Sequence, residues 1–252
     1  MGIRSRYTNI GSTLCDIAVA RSKTFQVQMR QDLRLFRPFA TTPMSQSASN
    51  SKSDTMKAWQ WSSCSSTLEK ALTLNMTAAL PTSKRSLLPD ESLIKVHAAA
   101  LNPIDYKLVE LPLVGRMAIP KPATPGLDFA GTIVEVGAEP DLKIGQKVFG
   151  KLEPMQQFGT LGEYVIGSRA GTVPLPDGIG MEAAATMGVC GLVTYQSLAP
   201  NIKAGDRVFI NGGSGGTGTF AIQIAKALGC WVTTTCSGEQ SKADVNVWLT
   251  RE

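Results

Sequence analysis

Gly213, Gly215 and Gly218 stand in the run GGSGGTG with the spacing G-x-G-x-x-G. In a chain with 24 glycines the spacing alone means little. Here it follows an apolar run, Arg207–Asn211, and opens a segment with helical periodicity, which is where its chemistry requires it. Glycine permits a tight turn and lets the main chain approach a pyrophosphate. The N–H groups and the positive end of the helix then face the anion. Gly216 lies within the loop, and Ser214 and Thr217 can add hydroxyl donors. An NAD site places an acid about 20 residues further on, to hold the ribose hydroxyl. That position falls near Thr235–Ser237, where there is none; Glu239 comes two residues too late. Ser237 leaves room for a 2′-phosphate, and Lys226 or Lys242 can supply positive charge. The expected cofactor is NADP(H).

The elements around the loop follow from pattern. GTFAIQIAKAL predicts a helix with Phe220, Ile224 and Leu228 on one stripe, stopped by Gly229. CWVTTTC, rich in β-branched residues, reads as the next strand, so the loop sits in a β-α-β unit, the mark of a parallel sheet. Upstream, Met181–Leu198 has helical spacing, divided into two helices by Gly188 and Gly191. Before that lie short β-like runs at Ser92–Leu101, Phe129–Gly137 and Lys147–Gly150, separated by Gly, Pro and Asp. The expectation is an α/β chain of three parts: a leader and linker over 1–55, a mostly β, barrel-like domain over 56–176, and an incomplete doubly wound domain over 177–252.

Composition narrows the function class. Hydrophobic residues make up 43% of the chain and charged residues 18%, enough for a sizeable core. The net charge of +5 belongs to the leader: residues 1–55 hold eight Lys/Arg against three Asp/Glu, and the rest holds seventeen of each. Nucleic-acid binding by the folded part gets no support, and no apolar run is long enough to span a bilayer. The five cysteines form no C-x-x-C pair and read as intracellular thiols. The leader is Arg- and Ser/Thr-rich and acid-poor, like a transit peptide. Leu33, Phe36 and Phe39 oppose Arg30, Arg34 and Arg37 on a potential amphipathic helix, and RPFA at Arg37–Ala40 resembles a mitochondrial processing site. A mitochondrial location is expected, with a disordered tail on a cytoplasmic protein as the alternative.

Five segments together carry a resemblance. They are NPIDYK (Asn102–Lys107), PGLDFAGTIVEVG (Pro125–Gly137), FGTLGEYV (Phe158–Val165), AAATMGVCGLVTYQSL (Ala183–Leu198) and the stretch Gly205–Gly229. In this order and spacing the chain resembles a medium-chain dehydrogenase/reductase of the zinc-free, quinone oxidoreductase-like branch, the enoyl-reductase domains included. The resemblance implies a GroES-like barrel packed on a Rossmann domain, with the active site between them. Zinc-dependent relatives carry G-H-E where Gly126, Leu127 and Asp128 stand, and Cys near Asn102–Asp105. His97 is the only histidine, so no zinc site is expected, and His97 reads as a core or surface filler.

The implied chemistry is hydride transfer from NADPH to a quinone or an α,β-unsaturated carbonyl. By the resemblance, Asn102, Asp105 and Tyr106 fall at the nicotinamide pocket. Tyr106 is a candidate phenolic donor, and Asn102 a candidate holder of the acceptor oxygen or the cofactor. Thr194 is a candidate cofactor contact, one position from where relatives carry a hydroxyl. A full doubly wound sheet has about six strands, and the resemblance stops at Gly238, fourteen residues before the last. The chain therefore reads as a C-terminally truncated reductase, whose full-length form would often dimerise. The alternative is a non-catalytic binding or regulatory module that keeps a remnant of the reductase fold.

Overall fold

The computed structural model describes residues 54–111, 117–138 and 141–238. The leader, with its amphipathic segment and RPFA, lies outside them, as do Glu239 and Lys242.

The first half is antiparallel. β1 (Thr55–Gln60) alternates exposed and buried residues and pairs with β2 (Thr73–Ala79), a short helix α1 (Leu68–Ala71) closing the connection. β3 (Glu91–Ala100), β4 (Asp128–Val136), β5 (Lys147–Lys151), β6 (Tyr164–Ser168) and β7 (Thr172–Pro174) form a five-stranded sheet in the order β6-β3-β4-β5-β7. Register shifts between Leu93 and Ile94 and between Val96 and Ala98 bend β3, and such bulges curl a sheet. The bridge Ala58–Gly162 and the bond from Trp59 N–H to the Leu161 carbonyl at 3.0 Å tie the hairpin to the sheet. The resulting curled half-barrel closes over Ile94, Phe129, Ile133, Val148, Leu152 and Val165. His97 is exposed on its outside, 3.2 Å from the Thr132 hydroxyl.

Helix α2 (Pro103–Glu110) follows β3 directly. Its proline sits at the first helical position, where no intrahelical N–H is needed.

The second half begins with α3 (Met181–Ala185), a π turn over Met187–Gly191, and α4 (Leu192–Leu198). The two helices expected there are present, and both glycines lie in the π turn that joins them. β8 (Arg207–Ile210), α5 (Gly216–Ala227) and β9 (Trp231–Thr234) make a β-α-β unit with parallel strands in register Arg207–Trp231 to Ile210–Thr234. Gly229, at φ +79°, ends α5. Its N–H bonds the Lys226 carbonyl and that of Cys230 bonds the Ala225 carbonyl, both at 2.9 Å, which is the Schellman pattern.

Val208, Ile210 and Val232 pack with Ile222 of α5, whereas Phe209 and Trp231 on the other face are exposed. The two halves share one core: Ala130 and Phe149 of the barrel meet Ala184, Ala185, Met187, Phe220 and Ile224. The mixed α/β class with a β half-barrel is the one expected from the sequence.

Candidate functional site

The glycine-rich loop is built by steric necessity. Gly212 has φ +76°, a conformation that costs L-residues. A Cβ on Gly213 would collide with the Thr234 hydroxyl, and one on Gly218 would lie against the Gly212 carbonyl and within 2.7 Å of the Gly213 Cα. The turn therefore packs directly on the first turn of α5 and on β9. Gly215 caps the helix in an extended conformation, and the first intrahelical bond runs from Thr219 N–H to the Gly215 carbonyl at 2.9 Å. The N–H groups of Gly216, Thr217 and Gly218 precede any intrahelical acceptor. Ser214, Gly215, Gly216 and Thr217 are exposed there, so this cradle, which side chains would fill, fits a pyrophosphate.

The other expected dinucleotide residues divide. Ser237 is exposed just beyond the end of β9 that lies beside the loop, since the strands are parallel and Thr234 pairs with Ile210. Lys226 is not brought to the loop. It is half-buried in the last turn of α5, ten residues from Gly216, and at 1.5 Å per residue that is about 15 Å along the axis. Spacing alone suggested it; the helix carries it to the wrong end. The Thr194 hydroxyl donates to the Cys190 carbonyl at 2.7 Å and the Thr217 carbonyl at 3.3 Å. It pins α4 to the first turn of α5, with its proton committed to backbone.

Asn102, the residue before α2, is buried beside a carboxylate. Asp128, the first residue of β4, is 0% exposed. It accepts Nδ2–H of Asn102 at 2.9 Å and the Val189 N–H of the π turn at 2.9 and 3.0 Å to its two oxygens. Gly188 is obligatory beside it, since a Cβ there would lie 2.7 Å from both the Asp128 Cγ and the Gly150 carbonyl oxygen. Burial pushes the Asp128 carboxyl up to about 6; its hydrogen bonds from Val189 and Asn102 oppose the shift.

Asp105 reaches back to bond the Asn102 N–H at 2.6 Å, and its carboxyl is also raised, chiefly by burial. The Asn102 Oδ1 is turned to Cys190, whose Sγ lies 3.3 Å away. Burial, then the field of Asp128, raise that thiol, so it stays protonated and donates. A Cβ on Gly216 would be 3.0 Å from the same sulfur.

A chain of contacts thus runs from the barrel carboxylate through Asn102 and Cys190 to the first turn of α5. Sequence reasoning flagged Asn102 but neither Asp128 nor Cys190 as site residues. With one Nδ2–H held by Asp128, Asn102 turns its acceptor, Oδ1, towards Cys190 and the loop. Tyr106, one helical turn on, is 42% exposed.

Along α2 and the segment 119–127 lies a shallow cleft open to solvent, lined by Trp61, Ile104, Leu108, Leu127, Leu152 and Met155 among others. No helix among the described residues is long and apolar enough to cross a membrane.

Residues 88–177 match the family described as Alcohol dehydrogenase GroES-like domain. The chain is 51% identical over 191 residues to the trans-enoyl reductase pgmF of Aspergillus terreus, covering 73% of this chain and 54% of that protein. It is 30% identical over 239 residues to the 2-methylene-furan-3-one reductase of Solanum lycopersicum, covering 88% and 60%. Among solved structures, the quinone oxidoreductase from Coxiella burnetii superposes with a TM-score of 0.66 at 32% identity, covering 77% of this chain and 60% of that one. The chain spans little more than half the length of these relatives. In sequence and fold the chain is similar to the medium-chain dehydrogenase/reductase superfamily, to its quinone- and enoyl-reductase-like branch.

Proposed function

We propose that this chain forms the barrel and the pyrophosphate-binding part of a zinc-independent, NADPH-dependent reductase of quinones or α,β-unsaturated carbonyls. The observation that carries the reading is the cradle at Gly213–Gly218, which glycine alone can build and which opens on the first turn of α5. Bound NADPH supplies a hydride. The N–H groups of Gly216, Thr217 and Gly218 hold the pyrophosphate, with Ser214 and Thr217 beside them, and Ser237 leaves space for a 2′-phosphate. Zinc independence is supported by Leu127, which stands where the zinc-dependent relatives carry His and is no zinc ligand, and by the segment Asn102–Asp105, which holds no Cys where those relatives carry one nearby. The basic, acid-poor leader supports a mitochondrial address.

A second reading is a binding module, favoured by Phe209 and Trp231, which lie 65% and 73% exposed on one face of the β8–β9 sheet. Steady-state turnover of the full chain with a panel of quinones and enones, NADPH against NADH, decides between them. Oxidation of NADPH that depends on the acceptor supports the reductase. No turnover with any acceptor, alongside a folded chain, supports the module.

A further inference from the structure

Asn102 is held from several sides at once, and its side chain also faces the Asp105 N–H in a capping box. Its N–H goes to Asp105, its Nδ2 to Asp128 Oδ2 at 2.9 Å, and its Oδ1 faces the Cys190 sulfur at 3.3 Å. An ionised carboxylate accepts hydrogen bonds and donates none. Turning the amide over would set Oδ1 against Asp128 Oδ2, acceptor against acceptor, in a buried place where that is costly. Asp128 cannot swing away, because the Val189 N–H binds both of its oxygens and Gly188 and the Gly150 carbonyl close round it. Lys151, its partner across β5, and Asp105 are the other charged groups whose fields reach it.

We propose that Asp128 is a positioning residue: it turns the Asn102 carboxamide oxygen towards the glycine-rich loop, so that the site offers a bound ligand a hydrogen-bond acceptor at the place the Cys190 thiol now fills. At Oδ1 such a site takes an N–H or O–H donor, from a nicotinamide carboxamide or from a hydroxyl of the small-molecule partner. The nature of the ligand rests on the reductase reading; the orientation of the amide stands without it. Replacing Asp128 by its amide inverts the arrangement. In Asp128→Asn the new Oδ1 takes the Val189 N–H, and the new Nδ2 meets Asn102. The Asn102 amide then turns over and sets its own Nδ2 against Cys190.

Two measurements on the full chain test the orientation. In the wild type, the Asn102 Nδ2 protons and the Val189 amide proton converge on one carboxylate, so a nuclear Overhauser contact between them is expected. Contact with the Cys190 β-protons instead overturns the proposal, and this arm needs no variant to fold. Alkylation of Cys190 by iodoacetamide, followed by peptide mass mapping, is the second. A donor turned onto the sulfur favours the thiolate, so Asp128→Asn should speed alkylation on the order of tenfold. In an Asn102→Ala background the same substitution should gain about twofold or less, because only the lost charge then acts. An equal gain in both backgrounds overturns the proposal, since mere loosening would not depend on Asn102.

Protection of Cys190 then identifies the donor. NADPH is compared with its 3-acetylpyridine analogue, and hydroquinone with its dimethyl ether. The donor-bearing member of at least one pair should protect about tenfold better. Equal protection within both pairs overturns the ligand half of the proposal. No protection by either dinucleotide, with hydroquinone protecting better than its dimethyl ether, counts against the reductase reading alone.

Discussion

The Asn102 amide and the Asp128 carboxylate meet at 2.9 Å across 26 residues of sequence, and the Val189 N–H reaches the same carboxylate from 61 residues beyond it. One buried charge thereby joins the start of α2, the first residue of β4 and the turn that leads to the glycine-rich loop. Its cost and its uses are both measurable.

A carboxyl raised from its model-peptide 3.8 to about 6 is protonated more readily folded than unfolded. The contribution of Asp128 to stability is therefore greatest at low pH and is lost as pH rises from about 4 to about 6, by roughly 3 kcal/mol in all. Urea unfolding of the wild type and of Asp128→Asn across that window checks the sign. The wild type should lose stability relative to the variant as pH rises, and the difference should level off above about pH 7.

Gly188→Ala places a methyl group on the Asp128 carboxylate and the Gly150 carbonyl. Overpacking of this kind costs about 1–3 kcal/mol. Because the strain falls on the Val189–Asp128 contact, faster amide exchange at Val189 should accompany the lower melting temperature.

Gly218→Ala strikes the loop itself, since the methyl group meets the Gly212 carbonyl and the Gly213 Cα. Dinucleotide affinity should fall at least about tenfold, while the far-ultraviolet circular dichroism of the barrel is kept. Isothermal titration with NADPH reads the loss.

Phe149 is buried where β5 meets α3 and α5, in the core shared by both halves. Phe149→Ala should cost about 3–5 kcal/mol. A single unfolding transition should move as a whole, measured by calorimetry, because the two halves lean on the same side chains.

The β8-α5-β9 unit was legible in the sequence. Strand, glycine loop, amphipathic helix and β-branched strand are local patterns, and Gly229 marks the stop. The π turn of Met187–Gly191 was legible only as a break, because glycines announce an interruption without its geometry. Pairing of β1 with β2 was not, since Thr73–Ala79 has mostly exposed side chains and little alternation. Lys226 was placed at the site by count along the chain, and the axis of α5 takes it away. Asp128 was read only as the absence of a zinc ligand. Its role depends on Asn102 and Val189, which no periodicity links, and on Cys190, which lies 88 residues from Asn102.

The most direct test of the central claim is a thermal-shift titration of the full chain with NADPH, and with NADH in parallel. A cooperative melt whose midpoint rises saturably with NADPH, and further than with NADH, is the expected result. A cooperative melt that neither dinucleotide moves would contradict the account.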